Sequence, residues 1–218
     1  TYYVSVAALD SSHFVVAYED EGNSYYGTCV VGTVSGNSIS FGNEYVFNSA
    51  ETYSTSVASL DDSHFVVAYI DGGNSYYGTC VVGTVSGNSI SFGSEYIFNS
   101  GSTSYLSASA LDSSHFVITY QDYDNSGYGT AVIGTVSGST ISFGSEYVFN
   151  SATTNHLSVA TLDSTHFVVT YQDYDNSGYG TAVIGTVSGS SISFGSEYVF
   201  NSATTNHLSV ATLDSTHF

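Results

Sequence analysis

The strongest constraint on this chain is a motif, Leu-Asp-x-x-His-Phe, that recurs every 51 residues without an insertion or deletion. Its copies begin at Leu9, Leu60, Leu111, Leu162 and Leu213. A fixed period of this length indicates one small structural unit that buries its apolar face against its neighbours. We divide the chain into repeats at residues 1–51, 52–102, 103–153 and 154–204, followed by the start of a fifth repeat at residues 205–218.

Each repeat contains four short runs of β-branched and aromatic residues, separated by Gly, Asn, Asp and Ser. In the first repeat the runs cover about Val4–Leu9, Phe14–Tyr18, Gly27–Val34 and Ser38–Phe47. Such runs, bounded by turn-forming residues, predict strands joined by hairpins. No segment of helical length shows apolar residues with a 3.6-residue period. The chain is therefore predicted to be all-β, with four-stranded repeats of 51 residues.

Two architectures suit a four-stranded unit repeated at this spacing. The first is a set of β-propeller-like blades, and the alternative is an open β-solenoid array of stacked sheets. The run Phe14–Tyr18 is apolar throughout, as in a central strand covered on both faces, and favours the propeller-like blade.

The charge of the chain excludes several partners. It has 19 acidic residues and neither Lys nor Arg, which gives a net charge of −19. Without fixed cations there is no favourable term for nucleic-acid phosphates or anionic membrane surfaces. No apolar run approaches the length of about 18 residues that a membrane span needs, so membrane insertion is not expected either.

Two acidic loops are candidates for calcium. Asp122-Tyr-Asp-Asn-Ser-Gly127 and Asp173-Tyr-Asp-Asn-Ser-Gly178, together with a Phe-Gly pair in every full repeat, resemble the integrin-type FG-GAP propeller repeats. The resemblance implies a propeller architecture. Calcium prefers oxygen ligands, and the loops could supply several. The candidate ligands are Asp122, Asp124, Asn125, Asp173, Asp175 and Asn176. The alternative is a hairpin whose Asp and Asn side chains bond to their own backbone.

The remaining polar motifs favour structural interpretations. Asp-x-x-His could orient a general base, but it occurs in every copy without a nucleophile of its own, which favours a turn capped by Asp. Cys29 and Cys80 are replaced by Ala131 and Ala182 in later repeats, as small buried free thiols would be, although a disulfide is the alternative.

Aromatic residues suggest a second ligand class. Most of the 20 Tyr and 13 Phe must lie in the core, but tyrosines near the loops could stack on sugars. The candidate glycan-binding residues are Tyr25, Tyr76, Tyr128 and Tyr179.

These observations support two hypotheses about function, both extracellular or at the cell surface. The first is a structural or assembly protein, part of a filament, sheath or long adhesin, that contacts copies of itself or neighbouring repeats of a longer chain. The alternative is a ligand- or glycan-binding propeller with calcium-stabilised loops. We do not expect an enzyme, because uniform repeats leave no unique cleft residues. Because residues 205–218 duplicate the opening strand, we expect a part of a longer repetitive polypeptide or head-to-tail association.

Overall fold

The computed structural model describes residues 1–218 and contains sixteen strands, one short 3-10 turn at Glu21–Asn23 and no α-helix. Paired strands are antiparallel. In chain order the strands are β1 Tyr2–Ala8, β2 His13–Asp20, β3 Tyr26–Ser35, β4 Ser38–Ser59, β5 His64–Asp71, β6 Tyr77–Ser86, β7 Ser89–Phe92, β8 Tyr96–Ala110, β9 His115–Asp122, β10 Tyr128–Ser137, β11 Thr140–Phe143, β12 Tyr147–Asp163, β13 His166–Asp173, β14 Tyr179–Ser188, β15 Ser191–Phe194 and β16 Tyr198–Thr204. The all-β prediction is confirmed.

The strands form four consecutive meanders, which we call the first to fourth sheets. The long strand β4 links the first sheet to the second, and β12 links the third to the fourth. In both, the first part of the strand closes one sheet and the second part opens the following one. In β4, Val46 pairs with Thr28 of β3, whereas Val57 pairs with Val67 of β5. The strand boundaries predicted for the first repeat differ here, since β4 runs on past Phe47 to Ser59. Pairing of the polar stretch after Phe47 with both neighbours keeps it extended.

The chain divides into two compact units. The first comprises Thr1–Ser100 and Val136–Ser142, and the second comprises Gly101–Thr135 and Phe143–Phe218. In the first unit, Phe47 packs with ring centroids 5.1 Å from Tyr69 and 5.9 Å from Phe92. The same arrangement recurs in the second unit, where Phe149 lies 5.2 Å from Tyr171 and 5.7 Å from Phe194. Each unit therefore closes its own apolar core between two sheets.

The Phe of the recurring motif explains a glycine in every repeat. Phe65 on β5 lies opposite Gly83 on β6. A Cβ atom on Gly83 would lie 2.1 Å from the Cζ atom of the Phe65 ring, far inside van der Waals contact. Only glycine leaves room for the ring, so the motif and the glycine depend on each other.

The Asp and His of the motif form a tight turn. The Oδ1 atom of Asp61 accepts hydrogen bonds from the backbone N–H groups of Ser63, at 2.8 Å, and His64, at 2.7 Å. The Oδ2 atom of Asp61 lies 2.9 Å from Nδ1 of His64. Equivalent bonds occur in all five copies. The predicted Asp-capped turn is confirmed.

The two cysteines lie in the core and form no disulfide. Cys29 and Cys80 are buried free thiols, as predicted, and burial raises the pKa of both. No helix has the length and hydrophobicity that a membrane span requires.

Candidate functional site

A cleft of about 310 Å³ opens between the third and fourth sheets, within the second compact unit. It is lined by Gln121, Tyr123, Ser126, Gly127, Thr153, Asn155 and Tyr174. Tyr123 and Tyr174 belong to two successive acidic loops, and their side chains are 58% and 63% exposed. The cleft therefore combines accessible aromatic rings with several polar side chains.

Strand β12 holds both loops in place. The N–H of Thr154 donates to the carbonyl oxygen of Gly127 at 3.0 Å, and the N–H of Tyr174 donates to the carbonyl oxygen of Thr153 at 3.0 Å. Ser126 and Gly127 have φ angles of 59° and 74°, in the left-handed region that favours glycine. The cleft is thus bordered by backbone fixed to a central strand.

Gln121 on β9 supplies an unusual group to the cleft. Its side chain is 2% exposed, and its Nε2 atom donates to Oδ1 of Asn155 at 3.1 Å. Its Oε1 atom is buried and accepts no hydrogen bond. Leaving such an acceptor without a partner costs about 1 to 3 kcal/mol of folding free energy. A buried acceptor of this kind at a cleft is a ready partner for a ligand donor.

The reason for the missing partner is visible in the neighbouring repeat. There, Nδ2 of Asn155 donates to Oε1 of Gln172 at 3.3 Å, and Nε2 of Gln172 donates to Oδ1 of Asn206 at 2.9 Å. The residue that pairs with Gln121 on the adjacent strand, in the position of Asn155, is Ser104. Because the amide donor is replaced by a shorter hydroxyl, the chain of amides ends at Gln121.

The corresponding positions in the first unit are chemically different. Glu19 stands in the position of Gln121 and is buried, with its pKa raised by burial and by the charge of Glu51. The ring of Tyr53 packs over Gly72, where a Cβ atom would lie 2.9 Å from Tyr53 Cε2, and lies 5.8 Å from the ring of Tyr76. In the 51-residue register Tyr53 stands in the position of Asn155, and Gly72 stands in the position of Tyr174. The first unit therefore has an aromatic ring where the second unit has the amide of Asn155.

The predicted calcium ligands lie in the two loops beside the cleft. Asp122 and Asp173 are each 7% exposed, whereas Asp124, Asn125, Asp175 and Asn176 are exposed. The Oδ1 atom of Asp122 accepts from the N–H groups of Asp124, at 3.2 Å, and Asn125, at 3.3 Å. This is the backbone-capping geometry of the alternative interpretation. No group of three or more His, Cys, Asp or Glu side chains is placed to hold a metal ion, and calcium binding stays a prediction.

The four tyrosines predicted to bind glycan lie outside this cleft. Tyr25 and Tyr76 are 38% and 50% exposed, with left-handed φ angles of 62° and 60°. Tyr128 and Tyr179 are half-buried at the starts of β10 and β14. Ligand binding by these four residues stays a prediction.

Sequence reasoning missed Gln121, Tyr123, Asn155 and Tyr174. A signal was present in the 51-residue register, which aligns Tyr25 and Tyr76 with Gly127 and Gly178 rather than with the tyrosines that follow them. The same register aligns Tyr123 and Tyr174 with Glu21 and Gly72. In the third and fourth repeats, glycine stands in the position of Tyr25 and Tyr76, and the exposed loop tyrosine lies four residues earlier.

Comparison with known proteins identifies the fold but not the family. No family model matches the chain, and no curated protein matches it. Among solved structures, a triple mutant of AofleA from Arthrobotrys oligospora aligns with a TM-score of 0.62 and 9% identity, covering 96% of this chain and 60% of the other.

Two sialidases are also similar. A mutant of the NanB sialidase from Streptococcus pneumoniae aligns with a TM-score of 0.58 and 18% identity over 77% of this chain. The leech intramolecular trans-sialidase, solved with 2,7-anhydro-Neu5Ac, aligns with a TM-score of 0.54 and 12% identity over 91% of this chain. The chain spans 27% and 31% of the length of those two proteins. At this identity the likeness concerns the fold alone, which is propeller-like. Kinship with FG-GAP repeats stays a prediction.

Proposed function

We propose that this chain is an extracellular or cell-surface carbohydrate-binding protein and that the sugar binds in the cleft between the third and fourth sheets. The observation that carries the proposal is the buried, unpartnered Oε1 of Gln121 in a cleft that two exposed tyrosines, Tyr123 and Tyr174, also line. Ligand sites are typically concave, with aromatic surfaces and a few convergent polar groups.

The chemistry of the cleft suits a sugar. A pyranose offers C–H faces that pack on aromatic rings and hydroxyl groups that donate hydrogen bonds. Gln121 Oε1 would accept one such bond, and the side chains of Ser126, Thr153 and Asn155 could make others. A ligand that satisfies the buried acceptor recovers the free energy lost by leaving it unpaired.

The similar structures support this hypothesis over the structural array that was the first expectation. Two of them are sialidases by name, and one was solved with a sialic acid derivative. A role in a filament or sheath has no comparable support and stays a prediction. We further propose that the cleft binds without turnover, since the hydrogen bonds of the motif Asp and His side chains place them in a repeated structural turn.

The proposal is tested by screening the chain on an array of defined glycans and measuring the affinity of the best ligand by calorimetry. Gly127→Tyr should abolish binding, because it places a tyrosine in the cleft at a position where Tyr76 already adopts a similar backbone conformation. Gly127→Ala is the matched control. Its Cβ atom would lie 3.4 Å from Gln121 Nε2, and it carries the same backbone strain at positive φ as Gly127→Tyr, so it should keep most of the affinity.

A second pair of variants separates the cleft from the tyrosines predicted from sequence. Tyr123→Ser with Tyr174→Ser should weaken binding at least tenfold and leave the melting temperature unchanged, because both rings are exposed. Tyr25→Ser with Tyr76→Ser should leave the affinity unchanged. The opposite pattern would place the site in the first unit and contradict the proposal. Release of a new reducing end from the bound glycan would contradict binding without turnover.

A further inference from the structure

The two loops that border the cleft, which contain Tyr123 and Tyr174, share a sequence pattern that favours some sugars over others. Each wall tyrosine stands between two aspartates along the chain, as Asp122-Tyr123-Asp124 in one loop and Asp173-Tyr174-Asp175 in the next. The equivalent residues of the first two repeats are Asp20-Glu21-Gly22 and Asp71-Gly72-Gly73, so this combination is confined to the loops around the cleft.

This pairing of aromatic rings and carboxylates is suited to a cation. The face of an aromatic ring attracts an ammonium group, and nearby carboxylates strengthen the attraction. Asp124 and Asp175 are exposed, and the chain has neither Lys nor Arg to pair with them. The net charge of −19 adds a long-range field that attracts cations and repels anions.

The side chain of Gln121 favours the same kind of ligand as the tyrosines and aspartates of the two loops. Gln121 offers an acceptor, and its Nε2 donor is already bonded to Asn155. An acceptor calls for a donor on the ligand, and an ammonium group is a stronger donor than a hydroxyl group. A sialic acid carboxylate would meet neither Lys nor Arg here and would approach a chain with a net charge of −19, so the substrate of the similar sialidases is disfavoured.

We infer that the ligand is an amino sugar with a free, protonated amine, such as an oligomer of glucosamine, whose ammonium group reaches Gln121 Oε1 between Tyr123 and Tyr174. This inference rests on the proposed function of the cleft. It names the charge of the sugar, which the proposed function leaves open.

The experiment compares three ligands by calorimetry with the intact chain in a chelator, which removes calcium from the loops. The ligands are a glucosamine oligomer, its fully N-acetylated form and a sialylated oligosaccharide. The amine form should bind at least tenfold more tightly than the acetylated form, and the sialylated form should show no binding. Raising the salt from about 50 to about 500 mM should weaken only the amine form, because screening acts on charged ligands.

A matched pair of charge variants localises the effect. Asp124→Asn should weaken binding of the amine form severalfold and leave the acetylated form unchanged, whereas Asp62→Asn removes the same charge from an exposed turn of the first unit and should change neither. Gln121→Ile, which installs the residue found at position 70, should weaken binding of the amine form; if it misfolds, Asp124→Asn still tests the inference. Equal or tighter binding of the acetylated or sialylated form would overturn the inference and leave the proposed function standing. Failure of every saccharide to bind would overturn both.

Discussion

The phenol of Tyr120 donates a 2.6 Å hydrogen bond to the carboxylate of Glu146, which lies 26 residues further along the chain. The same bond joins Tyr18 to Glu44, Tyr69 to Glu95 and Tyr171 to Glu197. In each case the tyrosine lies in the second strand of a sheet, namely β2, β5, β9 or β13. Glu44 lies within β4, whereas Glu95, Glu146 and Glu197 directly precede β8, β12 and β16. This bond therefore ties the outer part of every repeat to its centre.

Removal of the hydrogen bond between Tyr120 and Glu146 should lower the free energy of unfolding. Tyr120 is fully buried, so Tyr120→Phe keeps the packing and deletes a hydrogen bond to a charged group. We expect a loss of about 1.5 to 3 kcal/mol in the free energy of unfolding, measured by urea denaturation. Tyr123→Phe removes an exposed hydroxyl and should change the free energy little. Equal effects of the two variants would mean that the bond to Glu146 adds nothing to stability.

Alkaline pH should weaken the same bonds. Burial, and then the hydrogen bond to Glu146, raise the pKa of Tyr120 above its ordinary value. The unfolded chain loses this proton above about pH 10, whereas the folded chain keeps it. The contribution of Tyr120 to the free energy of unfolding is thus fully present below about pH 10 and decreases as the pH rises further. Denaturation between about pH 9 and 12 should show this fall, and Tyr120→Phe should make it shallower. An unchanged slope would contradict the assignment to Tyr120.

Acidic pH should destabilise the Asp-capped turns. The pKa of Asp163 is lowered to about 2, first by the backbone N–H of Thr165, then by the Thr165 hydroxyl and by His166. A lowered pKa means that the stabilisation is present above the ordinary value of about 3.9 and disappears as the pH falls through about 2. Asp163→Asn should lower the melting temperature at pH 7 and flatten its decline in acid. The control, Asp62→Asn, should leave both unchanged. A wild-type-like acid decline in Asp163→Asn would show that other carboxylates cause it.

Features built from residues close together in sequence could be predicted, whereas features built from residues far apart in sequence could not. Turns such as Asp61 to His64 span three residues, and the motif and its turn residues were sufficient to predict them. The continuity of β4 was missed because its middle is polar and gives no hydrophobic alternation. The cleft was missed because Gln121 and Asn155 are 34 residues apart and meet only when two sheets pack together.

His156, which packs between two other rings beside the cleft, should titrate below its ordinary pKa. The ring of His156 lies 4.9 Å from Tyr105 on one side and 4.8 Å from His207 on the other. Burial, and then the charge of His207, lower the pKa of His156 below 6.5. NMR titration should therefore give His156 a pKa below the ordinary value, and His207→Ala should raise this pKa only in part, since burial is the larger cause. A pKa above 6.5 in the wild type would contradict burial as the main influence on His156.

Calcium binding to the acidic loops remains directly testable. The exposed Asp124 and Asp175 are the acids whose replacement least disturbs the capping bonds of Asp122 and Asp173. Millimolar calcium should raise the melting temperature more than magnesium at matched ionic strength, and Asp124→Asn with Asp175→Asn should remove the difference. Equal effects of the two ions on the wild type would leave only charge screening, which both ions provide.

The surroundings of Phe200 differ from those of Phe149, its counterpart in the preceding repeat. Phe149 is 7% exposed and packs on Tyr171 and Phe194, whereas Phe200 is 55% exposed beside Tyr198, which is 69% exposed. These two rings line an apolar groove of about 400 Å³ with Leu208, Val210 and Phe218. Exposed apolar surface of this kind favours association, since burying it gains about 25 cal/mol per Å².

We therefore expect the 218-residue chain to associate with a second copy through this groove as its concentration rises. Sedimentation velocity should show species larger than the monomer, and Phe200→Ser should return the chain to a monomer without lowering its melting temperature. Phe149→Ser serves as the contrast, because it removes a buried ring and should lower the melting temperature instead. A wild-type chain that stays monomeric at every concentration would contradict the prediction, as would a Phe200→Ser variant that associates like the wild type.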